Sequence, residues 1–225
     1  MRIAVLIPAY DCAATIAGVV AGAREHVGDV LVVDDGSRDD SAARAAAAGA
    51  QVLRLTPNRG KGAALRAGMV ALAARGVTHA VSMDGDGQHL ARELPTLLAA
   101  SAAAPAALIV GARRIGGQDV KPIRLFGNRF ANRWVEIACG VAVRDSQSGL
   151  RVYPLAATQA LGATADRFAF ETEVLIRAAR AGMPIHSVPV DVYYPPPAER
   201  VSHYAPWRDT LRIIGVVLGL ILRKR

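Results

Sequence analysis

The strongest constraint on this chain is how its short apolar runs end. Ile3–Ile7, Val30–Val33, Ala80–Met83 and Ala107–Gly111, together with Gln51–Leu55 read as a third strand, recur about every 25 residues, with helical stretches between them. Runs apolar on both faces read as strands buried on both sides, and strands alternating with helices build βαβ units of a mainly parallel sheet. The intervening helices are Ala14–Ala23, Ser41–Ala48 closed by Gly49, Ala63–Ala74 closed by Gly76, and Leu94–Ser101. In such a sheet, ligands bind at the carboxyl ends of the strands. The first, second and fourth strands empty into Pro8-Ala9-Tyr10-Asp11, Asp34-Asp35-Gly36-Ser37 and Asp84-Gly85-Asp86-Gly87-Gln88. Acidic or polar loops therefore gather at one edge, where clustered carboxylates need a metal or an arginine as counter-charge.

The second half changes character. Trp134–Cys139 reads as helical, Asp145–Tyr153 as a polar turn leading into a short strand, Phe170–Ala181 as a helix and Ile185–Val192 as a strand. Tyr194-Pro195-Pro196-Pro197 breaks regular structure. Thr210–Leu222 reads as an apolar helix before Arg223-Lys224-Arg225. The expected organisation is a main domain over 1–209 and a C-terminal apolar helix over 210–225. The uninterrupted apolar run Ile213–Leu222 falls short of the roughly 20 residues that span a bilayer. With basic ends it can lie in a membrane interface, or it can dock on the protein's own core or on a dimer partner.

With 225 residues and 52% hydrophobic content, the chain can bury one large α/β core. The net charge is +8, mostly arginine, which suits anionic partners. Nucleic acid is set aside, because the cations flank an acidic site rather than interleave with aromatics. Cys12 and Cys139 lie far apart without zinc-ligand spacing, so zinc and a disulfide framework are not expected, and a reducing cytosol is the natural compartment. The first apolar run stops at Pro8, too short for a signal-peptide core. No GxGxxG follows the first strand and no GxxxxGK[ST] occurs, which excludes two common nucleotide-binding fingerprints.

What remains is carboxylate chemistry. Asp84 and Asp86, one residue apart across Gly85, can both turn towards one hard cation. Mg²⁺ or Mn²⁺ takes oxygen ligands and shares them with a diphosphate. Asp35 at a strand end can bind ribose hydroxyls or a base edge, and Tyr10 can cover a base. Lys61, in the glycine-rich Asn58-Arg59-Gly60-Lys61-Gly62 loop at a helix start, can touch phosphate, although a lysine there is by default solvent-exposed.

In number and order these segments resemble the family 2 glycosyltransferases of the GT-A fold, above all the dolichyl- or polyprenyl-phosphate mannosyl- and glucosyltransferase subgroup. The matching pieces are Val5–Tyr10, Val32–Ser37, Asn58–Gly62, Met83–His89, Gly111–Arg113, Arg129–Asn132, Asp145–Arg151 and Phe170–Glu173. The resemblance implies an α/β GT-A fold with a mainly parallel central sheet flanked by helices. It implies transfer of a sugar, with inversion and metal dependence, from a GDP-mannose- or UDP-glucose-type donor to a polyprenyl-phosphate-like lipid. Pro8, Ala9, Tyr10 and Asp35 would line the nucleoside pocket, with Asp11, Lys61 and Gly85 beside them. Asp84, Asp86 and Gln88 match metal and diphosphate positions. Arg113 and Arg129 match positions that grip phosphate, and Arg129, Ser202 and His203 fall on the acceptor side. The groups expected at the reaction centre are Asp86, Arg113, Arg129 and Glu173. A hydroxyl acceptor would need a general base, for which Glu171, Glu173 and Asp145 are candidates. The alternatives are a hydroxyl acceptor on the same fold, or an inert nucleotide-sugar binding module. The subgroup suggests a cytoplasmic protein lying peripherally at the inner face of the cell membrane; its oligomeric state stays open. One departure stands out: subgroup members usually carry an Arg-x-x-x-Ser-Lys-like element, whereas here Glu199-Arg200-Val201-Ser202-His203-Tyr204 puts His203 at the lysine position.

Overall fold

A computed structural model describes residues 1–114, 132–133, 135–138, 140–141, 143–194 and 206–222. The five expected strands all form: β1 (Ile3–Ala9), β2 (Val30–Asp34), β3 (Gln51–Arg54), β4 (His79–Ser82) and β5 (Leu108–Arg113). Between them lie α1 (Ile16–Arg24), α2 (Ser41–Ala47), α3 (Lys61–Ala74), a 3₁₀ turn at Ala91–Glu93 and α4 (Leu94–Ala103). The later chain adds β6 (Arg151–Pro154), α5 (Leu155–Ala160), α6 (Ala169–Arg180), β7 (Ile185–Val190) and α7 (Pro206–Leu222). Residues 135–138 are helical, as expected for that segment. The short helix α5 was not expected: six residues carry too little periodicity to stand out.

The strands form one sheet in the order β3-β2-β1-β4-β6-β5-β7. β1 pairs in parallel with β2 and β4, β2 with β3, and β5 with β7. β6 runs antiparallel to both its neighbours. The mainly parallel sheet therefore contains one reversed strand. The ends of β1, β2, β4 and β5 meet the start of β6 at a single edge.

Side chains of β1 alternate between two cores, as a strand buried on both faces requires. Leu6, with Leu31 and Val33 of β2, faces Leu65, Met69 and Leu72 of α3 and Phe170 and Val174 of α6. Val5 and Ile7 face Ile16 and Val20 of α1 and Leu94 and Leu97 of α4. α7 docks on the α6 side through Val217, with Ile213 and Leu220 partly buried beside it. The Arg180 guanidinium donates to Leu220 O at 2.7 Å. The adjoining flank of α7 leaves Ile214 and Leu218 exposed, at 41% and 44%. Of the three fates open to this helix, docking on the core accounts for one face only. No described helix is long and apolar enough to cross a membrane.

Candidate active site

β1 ends at Ala9, whose carbonyl accepts from the Asp35 N–H at 2.8 Å, tying the first loop to the second. Asp11 strengthens this tie: its N–H donates to Ser37 Oγ at 3.0 Å, and its carboxylate accepts from the Arg38 N–H at 2.7 Å. Asp11 therefore braces the loops, whereas Pro8, Ala9 and Tyr10 line a cavity of about 410 Å³. Asp35 lines it too. Its two oxygens accept the N–H groups of Arg59 and Gly60 at 2.9 and 2.6 Å, which holds the glycine-rich loop at the start of α3. Burial pushes the Asp35 carboxyl above the usual range, against the opposing pull of those N–H groups.

Lys61, the first residue of α3, is not a solvent-exposed lysine. Its side chain is 13% exposed, and Nζ lies 2.6 Å from Asp84 Oδ1 and 3.1 Å from Glu171 Oε2. Burial alone would lower its pKa, but the two carboxylates raise it, so the ammonium stays charged. The Asp84 carboxyl is held below the usual range because the Lys61 ammonium outweighs the effect of burial. The Asp84 N–H donates to His89 Nδ1 at 3.0 Å, so that nitrogen carries no proton. Burial also lowers the imidazole pKa, leaving a neutral ring protonated on Nε2.

Asp86 is the unbalanced charge. It accepts from the Gln88 N–H at 3.0 Å. Burial, and then the Asp84 charge, push its carboxyl up to about 6. A small cavity lined by Asp84, Asp86 and Gln88 adjoins the pair, and on its wall Gly149 leaves room only for the Asp84 carboxylate, since a Cβ there would sit 2.6 and 3.0 Å from the two Asp84 oxygens. Hard oxygen donors, a carboxylate lacking compensation and an adjoining space fit a Mg²⁺- or Mn²⁺-sized ion held by Asp84, Asp86 and Gln88. Among the described residues no three His, Cys, Asp or Glu side chains converge, so such an ion would draw part of its coordination from elsewhere.

A second, smaller cavity of about 60 Å³ shares Asp84 and Asp86 with the first. Gln88, His89, Arg113, Gln147 and Tyr194 complete much of its wall. Arg113, at the end of β5, is clamped by Asp145 through Nε at 2.6 Å and Nη2 at 3.0 Å. The guanidinium outweighs burial and depresses the Asp145 carboxyl, which makes Asp145 a holder of Arg113 rather than a free base. The segment leading into β6 is fixed from below by the fully buried Arg151, which donates to Ser146 O, Ser148 O and Glu171 O.

The two glutamates of α6 separate cleanly. Glu171 turns towards Lys61, with burial raising its pKa, and its Oε1 has no hydrogen-bond partner. Glu173 accepts from the Thr164 and Ala165 N–H groups at 2.8 and 2.6 Å and from Arg177 Nε at 2.7 Å. Glu173, expected at the reaction centre, thus braces a loop; like Glu171, it lies outside both cavity walls. Arg129, Ser202 and His203 lie outside the described residues. Sequence reasoning missed Arg167 and Phe168, which line the large cavity, and Tyr194, which lines the small one. The signal for the first pair was present: a cation and an aromatic directly before a helix that carries acidic site candidates.

The model of glycosyl transferase family 2 matches residues 4–151. A glycosyltransferase AglJ of Haloferax volcanii is 31% identical over 99% of this chain and 71% of its own length. An undecaprenyl-phosphate mannosyltransferase of Micrococcus luteus is 32% identical over 84% of this chain and 83% of its own. Among solved structures, glucosyl-3-phosphoglycerate synthase of Mycobacterium tuberculosis, in complex with Mn²⁺, UDP and glucosyl-3-phosphoglycerate, superposes with a TM-score of 0.69. It is 24% identical, over 97% of this chain and 79% of that one.

Proposed function

The chain belongs to glycosyl transferase family 2 and is a glycosyltransferase, and from that premise we propose that it moves a hexose from a nucleoside diphosphate sugar to a polyprenyl-phosphate-type lipid, with inversion. The observation that carries this reading is the pair of cavities sharing Asp84 and Asp86. One is large enough for a nucleoside and walled by Pro8, Tyr10 and Asp35; the other is small, polar and flanked by Arg113. A donor laid across both would put its diphosphate at the shared carboxylates.

Asp84, Asp86 and Gln88 would hold a Mg²⁺ or Mn²⁺ ion, which would supply Lewis-acid stabilisation of charge on the leaving diphosphate. Lys61 adds a fixed positive charge at the same place. Asp35 keeps the 58–60 loop in position to form the cavity floor. Arg113, oriented by Asp145, presents its remaining donors to an anionic acceptor. An acceptor phosphate oxygen then forms the new bond to the anomeric carbon as the bond to the diphosphate oxygen breaks. A phosphate is already ionised, so no side chain need remove a proton. The mannosyltransferase of Micrococcus luteus supports this acceptor class. The apolar outer face of α7 supports a peripheral position at a membrane. A second reading, a hydroxyl acceptor deprotonated by Glu171, is favoured by its unpartnered buried oxygen.

The test is a thermal-shift panel of nucleoside diphosphates and nucleotide sugars with and without Mn²⁺, followed by transfer of labelled sugar to polyprenyl phosphate. A ligand at 100 times its Kd stabilises the native state by about 2.7 kcal/mol. No metal-dependent shift with any nucleotide would refute the donor reading. Transfer that survives Glu171→Gln would exclude the hydroxyl-acceptor alternative.

A further inference from the structure

We propose that Arg167 is a donor-binding residue whose guanidinium closes the large cavity over the diphosphate of the nucleotide sugar. The proposal rests on the donor reading above. Arg167 lies just before α6 with φ 53, a left-handed backbone that residues with side chains rarely adopt. An outlier of this kind in the wall of a cavity points to function rather than to packing. The side chain crosses Gly60, the residue preceding α3: a Cβ on Gly60 would lie 2.6 Å from Arg167 Cγ. Gly60 is thus the residue that lets the arginine lie across the start of the helix.

The charges around the cavity say what the guanidinium is for. Three carboxylates line it, those of Asp35, Asp84 and Asp86. Lys61 is already engaged with Asp84 and Glu171. Both Asp35 oxygens take backbone N–H groups. Arg167 is exposed, and its guanidinium makes no hydrogen bond or ion pair with another described residue, while its charge is felt at Asp35. Its place over Gly60 puts it between the Asp35 end and the Lys61 end of the cavity. Next to it, Phe168 lies under the Lys61 ammonium, 5.5 Å from Nζ to the ring centroid. A diphosphate carries more negative charge than Lys61 and a divalent ion already offset by Asp84 and Asp86 can match, and a planar fork of donors suits phosphate oxygens.

The experiment uses the full chain with Mn²⁺ and compares wild type with Arg167→Gly, Arg167→Ala and Arg167→Lys. Calorimetry measures binding of UDP and GDP, and ligand-observed NMR measures binding of uridine and guanosine. Glycine accepts a positive φ, so Arg167→Gly keeps the wild-type melting temperature and isolates the side chain. The expected result is at least about a tenfold loss of diphosphate affinity in the Gly and Ala variants, with nucleoside binding changed less than about twofold. Arg167→Lys falls between them and wild type. Diphosphate affinity within about twofold of wild type in the Gly variant overturns the proposal. So does an equal loss for nucleoside and diphosphate, which would make Arg167 a wall rather than a phosphate contact. A wild type that binds neither diphosphate overturns the donor reading itself, and this proposal with it.

Discussion

Replacing Arg151 with leucine tests how the acceptor side of the site is held together. The residue is 0% exposed, and its guanidinium donates to Ser148 O and Glu171 O at 2.7 Å and to Ser146 O at 2.8 Å. A buried ion pair can be exchanged whole for apolar groups with little loss, because both partners leave together. Here the partners are main-chain carbonyls and stay. Each interior acceptor left without a donor costs about 1–3 kcal/mol. At the low end, three of them make Arg151→Leu about 3 kcal/mol less stable. The arginine stem already fills the space that leucine would occupy, so little apolar burial offsets this. With a urea m-value of about 3 kcal/mol/M, suited to a chain of this size, the unfolding midpoint falls by about 1 M. Arg151→Lys keeps the charge without the fork and should fall between. A midpoint for Arg151→Leu within about 0.3 M of wild type would refute the view that this guanidinium ties the 146–148 segment to α6.

Asp86→Asn should weaken Mn²⁺-dependent binding of nucleoside diphosphate, measured by thermal shift, by more than the roughly tenfold lost when a mere hydrogen-bond partner of a metal ligand is removed. Glu173→Gln should lower the melting temperature by about 4 °C through weakened charged hydrogen bonds and leave diphosphate affinity unchanged; lost affinity at constant melting temperature would return Glu173 to the site. The folded-state pKa of Asp145 is depressed, so its contribution to stability is present above the unfolded value of about 4 and is lost as pH falls below it. Melting temperatures measured below pH about 4 should therefore drop less steeply for Asp145→Asn than for wild type, and identical slopes would contradict this. Ile214→Ser combined with Leu218→Ser should reduce co-sedimentation with anionic vesicles while keeping the urea midpoint, because both side chains face away from the core; undiminished sedimentation would remove α7 from the membrane reading.

The donor side was legible because its signals are local. Each carboxylate loop directly follows an apolar strand, so strand and ligand group announce each other within ten residues. The direction of β6 left no such trace: Arg151-Val152-Tyr153-Pro154 reads the same whether its neighbours run with it or against it. The two α6 glutamates show a different limit. Residues two apart on a helix point to nearly opposite sides, so the sequence implies that Glu171 and Glu173 cannot share a task, but only packing tells which one meets Lys61. Lys61 looked exposed because its partners, Asp84 and Glu171, lie 23 and 110 residues further on. Arg167 and Phe168 stood in the sequence as a cation and an aromatic just before a helix with acidic candidates, but the positive φ that lays Arg167 across Gly60 is not encoded in that pattern.

The reversed strand also governs the order in which this protein can be made. β1 to β4 are joined by successive crossovers within the first 82 residues, and they hold the acidic loops. The free edge of β4 is paired only when β6 arrives from residue 151 onwards and slots between β4 and β5. As the chain emerges from the ribosome, a wholly buried strand, His79–Ser82, therefore has no partner on one side for about 70 residues of synthesis. Unpaired edges of this kind invite pairing with other chains, and non-local pairings form slowly. Substitutions that delay insertion of β6 should thus appear first as lost soluble yield, before any loss of activity in the molecules that do fold.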